Sequence, residues 1–269
     1  MKIRAGFEIS FDCPTPIPML LMLNLHPSRE ADLLTESRLV LDPPVPVTHY
    51  TDGFGNCASR IVAMPGRQTM RSDFLIRDHG DPDVQPHGAP QIAVEHLPTD
   101  ILVFLLGSRY CETDRLSDTA ISLFGHIEPG WSRVQAICDY VHNRITFDYQ
   151  SARPTKTAWD VFMEQRGVCR DFAHLAITFC RCMNIPARYC TGYLGDIGVP
   201  LSPDPMDFSG WFDVYLGGRW YTCDARHNHP RIGRILMARG RDATDVAITT
   251  TFGQCILTGF TVVTDEVTP

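Results

Sequence analysis

The chain has 269 residues, 44% of them apolar and 20% charged, and a formal net charge of -7. This is the composition of an ordinary globular protein, long enough for a real core in one large or two ordinary domains. The acidic balance argues against a nucleic-acid partner, and no apolar run is long enough to span a membrane.

The start, Met1-Lys2-Ile3-Arg4, passes into alternating sequence without a signal-peptide core, so a cytoplasmic location is expected. The ten cysteines lie mostly inside apolar segments and contain no CxxC pair. In a reducing compartment they read as packing thiols, with neither disulfides nor a metal or other cofactor expected.

Ile3, Ala5, Phe7, Ile9 and Phe11 alternate with polar residues, the mark of a half-buried strand. An apolar run over 19–25, a turn cluster Asp52-Gly53-Phe54-Gly55-Asn56 and a strand-like run over 67–76 follow. Short strands with turn signals and no helical stretch predict a β-sandwich over residues 1–85. Residues 78–98, rich in Asp, Gly and Pro, read as a linker.

Beyond it the period becomes helical. Thr99-Asp100 can cap a short helix to 106, and 114–124 can form another. Pro129-Gly130 precedes an amphipathic helix with Val134, Ile137, Cys138, Val141 and Ile145 on one face. A short helix over 157–165 is closed by Gly167. Next comes Arg166-Gly167-Val168-Cys169-Arg170-Asp171-Phe172-Ala173-His174-Leu175, with apolar residues at helical spacing after the cysteine. Cys169 is therefore expected in the first turn of a buried helix. There, unpaired N–H groups and the helix dipole favour thiolate, the nucleophilic form. The plainer reading of such a thiol is packing.

A strand over 187–194 leads to Ser209-Gly210-Trp211 and a hairpin turned by Gly217-Gly218. Pairing Leu216 with Arg219 sets Trp211 opposite Asp224 and Ser209 opposite Arg226, so these four residues are expected on one sheet face. Runs over 246–252 and 256–263 supply two more strands.

Helices, a Gly-Val-Cys at a helix start and a hairpin ending in Trp220-Tyr221-Thr222-Cys223-Asp224 together resemble the transglutaminase-like family. Thr157-Ala158-Trp159, Ile185-Pro186-Ala187-Arg188-Tyr189 and Gly192-Tyr193 carry the same resemblance. It implies an α+β architecture: a papain-like transglutaminase core over 86–269, helices packed on an antiparallel sheet, preceded by the β-sandwich of bacterial members. It also implies a Cys, His, Asp triad acting on peptide or amide bonds of a peptide or protein substrate, with hydrolysis favoured over acyl transfer. Cys169 matches the nucleophile and Asp224 the carboxylate.

The histidine usually opens the strand that here begins with Ser209, and a hydroxyl is no base near neutral pH. His227 can replace it only if a bulge or turn follows Asp224, because strict alternation sends it to the opposite face. His174 reads better as packing, and His229 as a loop residue. Ser209, Trp211 and Arg226 are the expected substrate-binding residues. Arg226, Arg231, Arg234, Arg239 and Arg241 could meet an acidic substrate, although solvated surface arginines are the plainer reading. The rival reading is an altered member that binds a peptide or protein partner. A third is a redox-responsive thiolate.

Overall fold

The computed structural model describes residues 1–202 and 205–267. Six strands come first: β1 (Lys2–Cys13), β2 (Ile17–Leu21), β3 (Val40–Asp42), β4 (Thr48–Thr51), β5 (Cys57–Ala63) and β6 (Gly66–Arg77). The alternation read from β1 holds: Ile3, Ala5, Phe7, Ile9 and Phe11 are buried beside Met70 and Phe74 of the same sheet and share a core with Met19, Leu21 and Ile61 of the other. Two four-stranded sheets close over this core, each pairing these strands with one from the other end of the chain, β13 (Thr249–Thr251) or β14 (Ile256–Glu266), in the orders β14-β1-β6-β3 and β13-β2-β5-β4.

These two outer strands pair antiparallel, β13 with β2 and β14 with β1. Sequence patterning assigns 86–269 wholly to the core; the pairing instead returns the tail to the sandwich. β14 runs along nearly all of β1, from Ile3 opposite Glu266 to Asp12 opposite Ile256. It saturates backbone groups that would otherwise form a long open edge. Thr268 and Pro269, the end of that span, lie outside the described residues.

The helical layer comprises α1 (Thr113–Phe124), α2 (Trp131–Arg144), α3 (Ala158–Glu164) and α4 (Cys169–Cys182), with a short parallel pair, β7 (Thr146–Phe147) and β8 (Arg166–Gly167), beside it. Thr157 caps α3 through Asp160, as its position before the apolar run requires. α4 is the centre: Phe172, Ala173, Leu175, Ala176, Ile177, Phe179 and Cys180 are all buried. Helices α1, α2 and α3 pack on it from one side, and a four-stranded antiparallel sheet from the other. That sheet is β9 (Ala187–Tyr193), β10 (Ser209–Leu216), β11 (Arg219–Cys223) and β12 (Ile235–Gly240). The hairpin register is the one its turn dictates, Leu216 opposite Arg219. None of the helices among the described residues is long and apolar enough to cross a membrane.

Sandwich and core share one apolar cluster. Tyr193, Phe208, Ile235 and Met237 pack among the residues of β1 and β6, with Phe74 and Tyr193 rings 5.7 Å apart. Asn56 extends the joint: its side chain donates to the Arg239 carbonyl at 2.8 Å and accepts from the Arg239 N–H at 2.9 Å, so it behaves as one more rung on β12.

Gly192 marks the tightest strand contact, since a Cβ there would collide with the Ile235 carbonyl oxygen. The carbonyl is backbone and the Cβ position is fixed by the backbone, so neither can rotate away. Gly192→Ala is therefore expected to cost about 1–3 kcal/mol, read as a lowered urea midpoint at constant slope.

Candidate active site

Three segments build the site: the start of α4, the start of β10 and the turn after β11. At the first, Gly167 lies so close to Asp171 that a Cβ would sit 2.6 Å from the aspartate's own Cβ. This closeness lets the buried Asp171 accept from the Val168 N–H at 3.0 Å, with Arg170 bonded to its other oxygen at 3.0 Å. Cys169 follows as the first helical residue.

The backbone N–H groups of Arg170 and Gly210 donate toward the sulfur, and the Arg226 guanidinium adds positive charge. All three favour thiolate. The protein packed around the half-buried residue opposes them, joined by the Asp207 carboxylate, and together these push the thiol up to about 11.

The turn after β11 carries the carboxylate. The ladder stops at Cys223, and Asp224 Oδ1 accepts from the backbone N–H groups of Arg226 and His227 at 3.0 and 3.1 Å. This Asx turn reverses the alternation that would have carried His227 away. The imidazole Nδ1 consequently meets Asp224 Oδ2 at 2.9 Å. Arg234 Nη2 reaches the same oxygen at 2.8 Å, and its Nε spans both oxygens of Asp83 at 2.9 and 3.1 Å. Burial alone would raise the Asp224 carboxyl, but the Arg234 guanidinium and the His227 imidazole hold it well below the usual carboxylate range.

Cys169, His227, Ser209 and Arg226 line one cavity of about 170 Å³. A groove of about 530 Å³ opens on the other side of Cys169 and Ser209, walled by Tyr189, Val246, Ile248 and Phe260. No hydrogen bond joins Cys169 to an imidazole among the described residues. Ser209 is buried, and its Oγ has no partner there either.

Trp211 does not join this group. The alternation that pairs it with Ser209 is correct, but two residues further along β10 it lies behind the carboxylate. It lines a separate cleft of about 440 Å³, and its ring lies 5.0 Å below the Arg234 guanidinium. Its place is under the arginine that holds Asp224, not against a substrate. His174 is buried, stacked on Tyr110 at 5.0 Å, and accepts from the Ala243 N–H through Nε2. Burial pushes it down to about 3, the behaviour of a packing residue.

The arginines after Asp224 are not a solvated arm. Arg231 is buried and bonded to the Gly195 carbonyl, and Arg234 is held by two aspartates. Arg239 packs on His26, and Arg241 pairs with Asp245. Asp83 is the site residue that sequence reasoning missed, and Arg234 was read as a possible contact to an acidic substrate and not as the partner of Asp224; the apolar run Ile235-Leu236-Met237-Ala238 was the available signal for β12.

Residues 118–225 match the transglutaminase-like superfamily. Over its whole length the chain is 31% identical to a candidate cysteine protease from Cytophaga hutchinsonii, covering 93% of that chain with a TM-score of 0.82. The chain belongs to the transglutaminase-like superfamily. Its relatives include an uncharacterized Mycobacterium leprae protein, 36% identical over 91 residues, a match spanning 33% of this chain and 32% of that protein. An uncharacterized Mycobacterium tuberculosis protein is 28% identical over 231 residues, 78% of this chain and 73% of the relative. Within this transglutaminase-like chain, the matched segment holds Cys169, Ser209 and Asp224, and ends just before Arg226 and His227.

Proposed function

We propose that the protein cleaves amide or peptide bonds of a peptide or protein substrate through a Cys169 acyl-enzyme, hydrolysis prevailing over transfer. The observation that carries this reading is the 2.9 Å Asp224–His227 pair, whose imidazole lines the cavity that Cys169 lines. A thiol raised by burial is nucleophilic only if its proton leaves as the bond to carbon forms. His227 takes that proton, and Asp224 fixes its tautomer and steadies the imidazolium. N–H groups at the start of α4 stabilise the oxyanion. His227 then protonates the leaving amine, and water releases the acyl group by the reverse sequence. The resemblance to a candidate cysteine protease supports hydrolysis.

The test is a peptide mixture followed by mass spectrometry with wild-type protein and Cys169→Ala. Cleavage by the first and none by the second is expected. Iodoacetamide labelling of Cys169 should still accelerate steadily above about pH 9.5, where a free cysteine of pKa about 8.5 has levelled off. A plateau below about pH 8.5 would show a preformed thiolate and overturn the concerted proton transfer.

Ser209 favours a second reading, in which the cleft binds a peptide partner without turnover, because a hydroxyl stands where the resemblance implies a histidine. Ser209→His separates the two. On the preferred reading it changes an existing activity by less than about tenfold; on the second it creates activity from none.

A further inference from the structure

The two lobes flanking Cys169 differ in character, and the chemistry of the proposed reaction assigns each to one half of a substrate. This inference rests on the acyl-enzyme reading above. His227 must deliver a proton to the departing amine, so the amine lies in the lobe that His227 lines, and the acyl half lies in the other. The acyl lobe is lined on one wall by apolar side chains, the buried Val246, the half-buried Ala247 and Ile248 and the exposed Phe260. Its two arginines are already engaged, Arg153 with Glu164 and Arg170 with Asp171.

The amine lobe is different. Arg226 lines it beside His227, and its guanidinium lies over the Phe147 ring at 3.8 Å. Among the described residues that guanidinium has no ion pair and no hydrogen bond. Its main chain is fixed, the N–H by Asp224 and the carbonyl by His142 at 2.8 Å. Stacking on an aromatic ring fixes the plane of an arginine and leaves its N–H edge for a carboxylate. Of the other charges of the lobe, Arg231 meets Asp196 at 3.8 Å, while Asp207 accepts from the Phe208 N–H and feels the Arg226 charge without forming an ion pair with it.

We infer that the substrate is an amide with an apolar acyl residue and a leaving amine that carries a carboxylate, bound by Arg226. Two carboxylates fit this chemistry, an acidic side chain and a free chain end.

The test uses Cys169→Ala, which binds without turning over, and calorimetry with four peptides. N-acetyl-Leu-Glu-amide is compared with N-acetyl-Leu-Gln-amide, and N-acetyl-Leu-Gly with its amide. In at least one pair the acid should bind about tenfold tighter, and which pair does so identifies the source of the carboxylate. Adding Arg226→Met should erase the advantage, and Arg226→Lys should keep part of it. Replacing Leu by Lys should weaken binding by a similar factor. Equal binding within both pairs, an advantage that survives Arg226→Met, or indifference to Leu against Lys would overturn the inference. Turnover by the wild-type protein separates the two readings. Selective binding without cleavage removes the acyl chemistry, and cleavage without carboxylate preference removes this inference.

Discussion

His227→Ala is expected to lower kcat/KM by about 10²- to 10⁴-fold while leaving the fold nearly unchanged. The loss follows from the absence of any other imidazole at the cavity among the described residues: His174 is enclosed against Tyr110 and Ala243, and His229 is exposed and turned to the Pro230 carbonyl. The fold should persist because the turn is closed by backbone N–H groups, which any residue at 227 except proline supplies. Asp224 also keeps Arg234 at 2.8 Å. Thermal denaturation should therefore hold steady while the rate collapses. Iodoacetamide labelling of Cys169 well above neutral pH should also survive, since bulk hydroxide can then deprotonate the thiol. A variant retaining more than about a tenth of the wild-type rate would mean that His227 is not the base.

Much of this arrangement was legible in the residues, and the failures have physical causes. Helical periodicity after Cys169 and the Gly217-Gly218 turn are local signals, and both elements stand where they were expected. The strand face shared by Ser209 and Trp211 was also correct, yet the two serve different cavities, because a pleat fixes orientation and not distance along the strand. His227 defied alternation through one side chain: Asp224 binds the N–H groups of the two residues that bring the histidine back. An Asx turn is invisible to period counting, although an aspartate at a strand end followed by polar residues is its ordinary signature. The return of β14 to β1 had no local signal at all, because the partners are about as far apart in sequence as the chain allows. Buried Arg231 and Arg234 were misread for a related reason, since their carboxylate partners Asp83, Asp196 and Asp224 come from three separate segments.

Arg234→Met is expected to give the largest loss of stability of any substitution considered for this protein, about 3–5 kcal/mol near neutral pH. Arg234 is almost enclosed, with a side chain 8% exposed, and it bonds at once to Asp224 and to Asp83 from the linker. Methionine preserves the stem that lies on Trp211 but leaves two carboxylates without their shared cation. For a chain of this size the melting temperature should fall by roughly 6–20 °C. The pH dependence distinguishes this cause from poorer packing. In the wild-type protein the Asp224 carboxyl is depressed on folding, so its contribution is complete above the unfolded value of about 3.9 and disappears as pH falls through the folded one. In the variant, burial without the guanidinium pushes the same carboxyl upward, so the folded state loses stability as pH rises and the group is forced to ionise. The wild-type contribution is complete at both pH values, so the raised carboxyl of the variant alone makes the deficit larger at about pH 7.5 than at about pH 4.5. A deficit equal at the two pH values would trace the loss to packing on Trp211, and one below about 1 kcal/mol would show that water replaces the arginine at little cost. The same variant also frees His227 from a neighbouring cation while it loosens the carboxylate that orients it. Activity measured where the variant is still folded therefore reports whether Asp224 acts through its charge or through its fixed position.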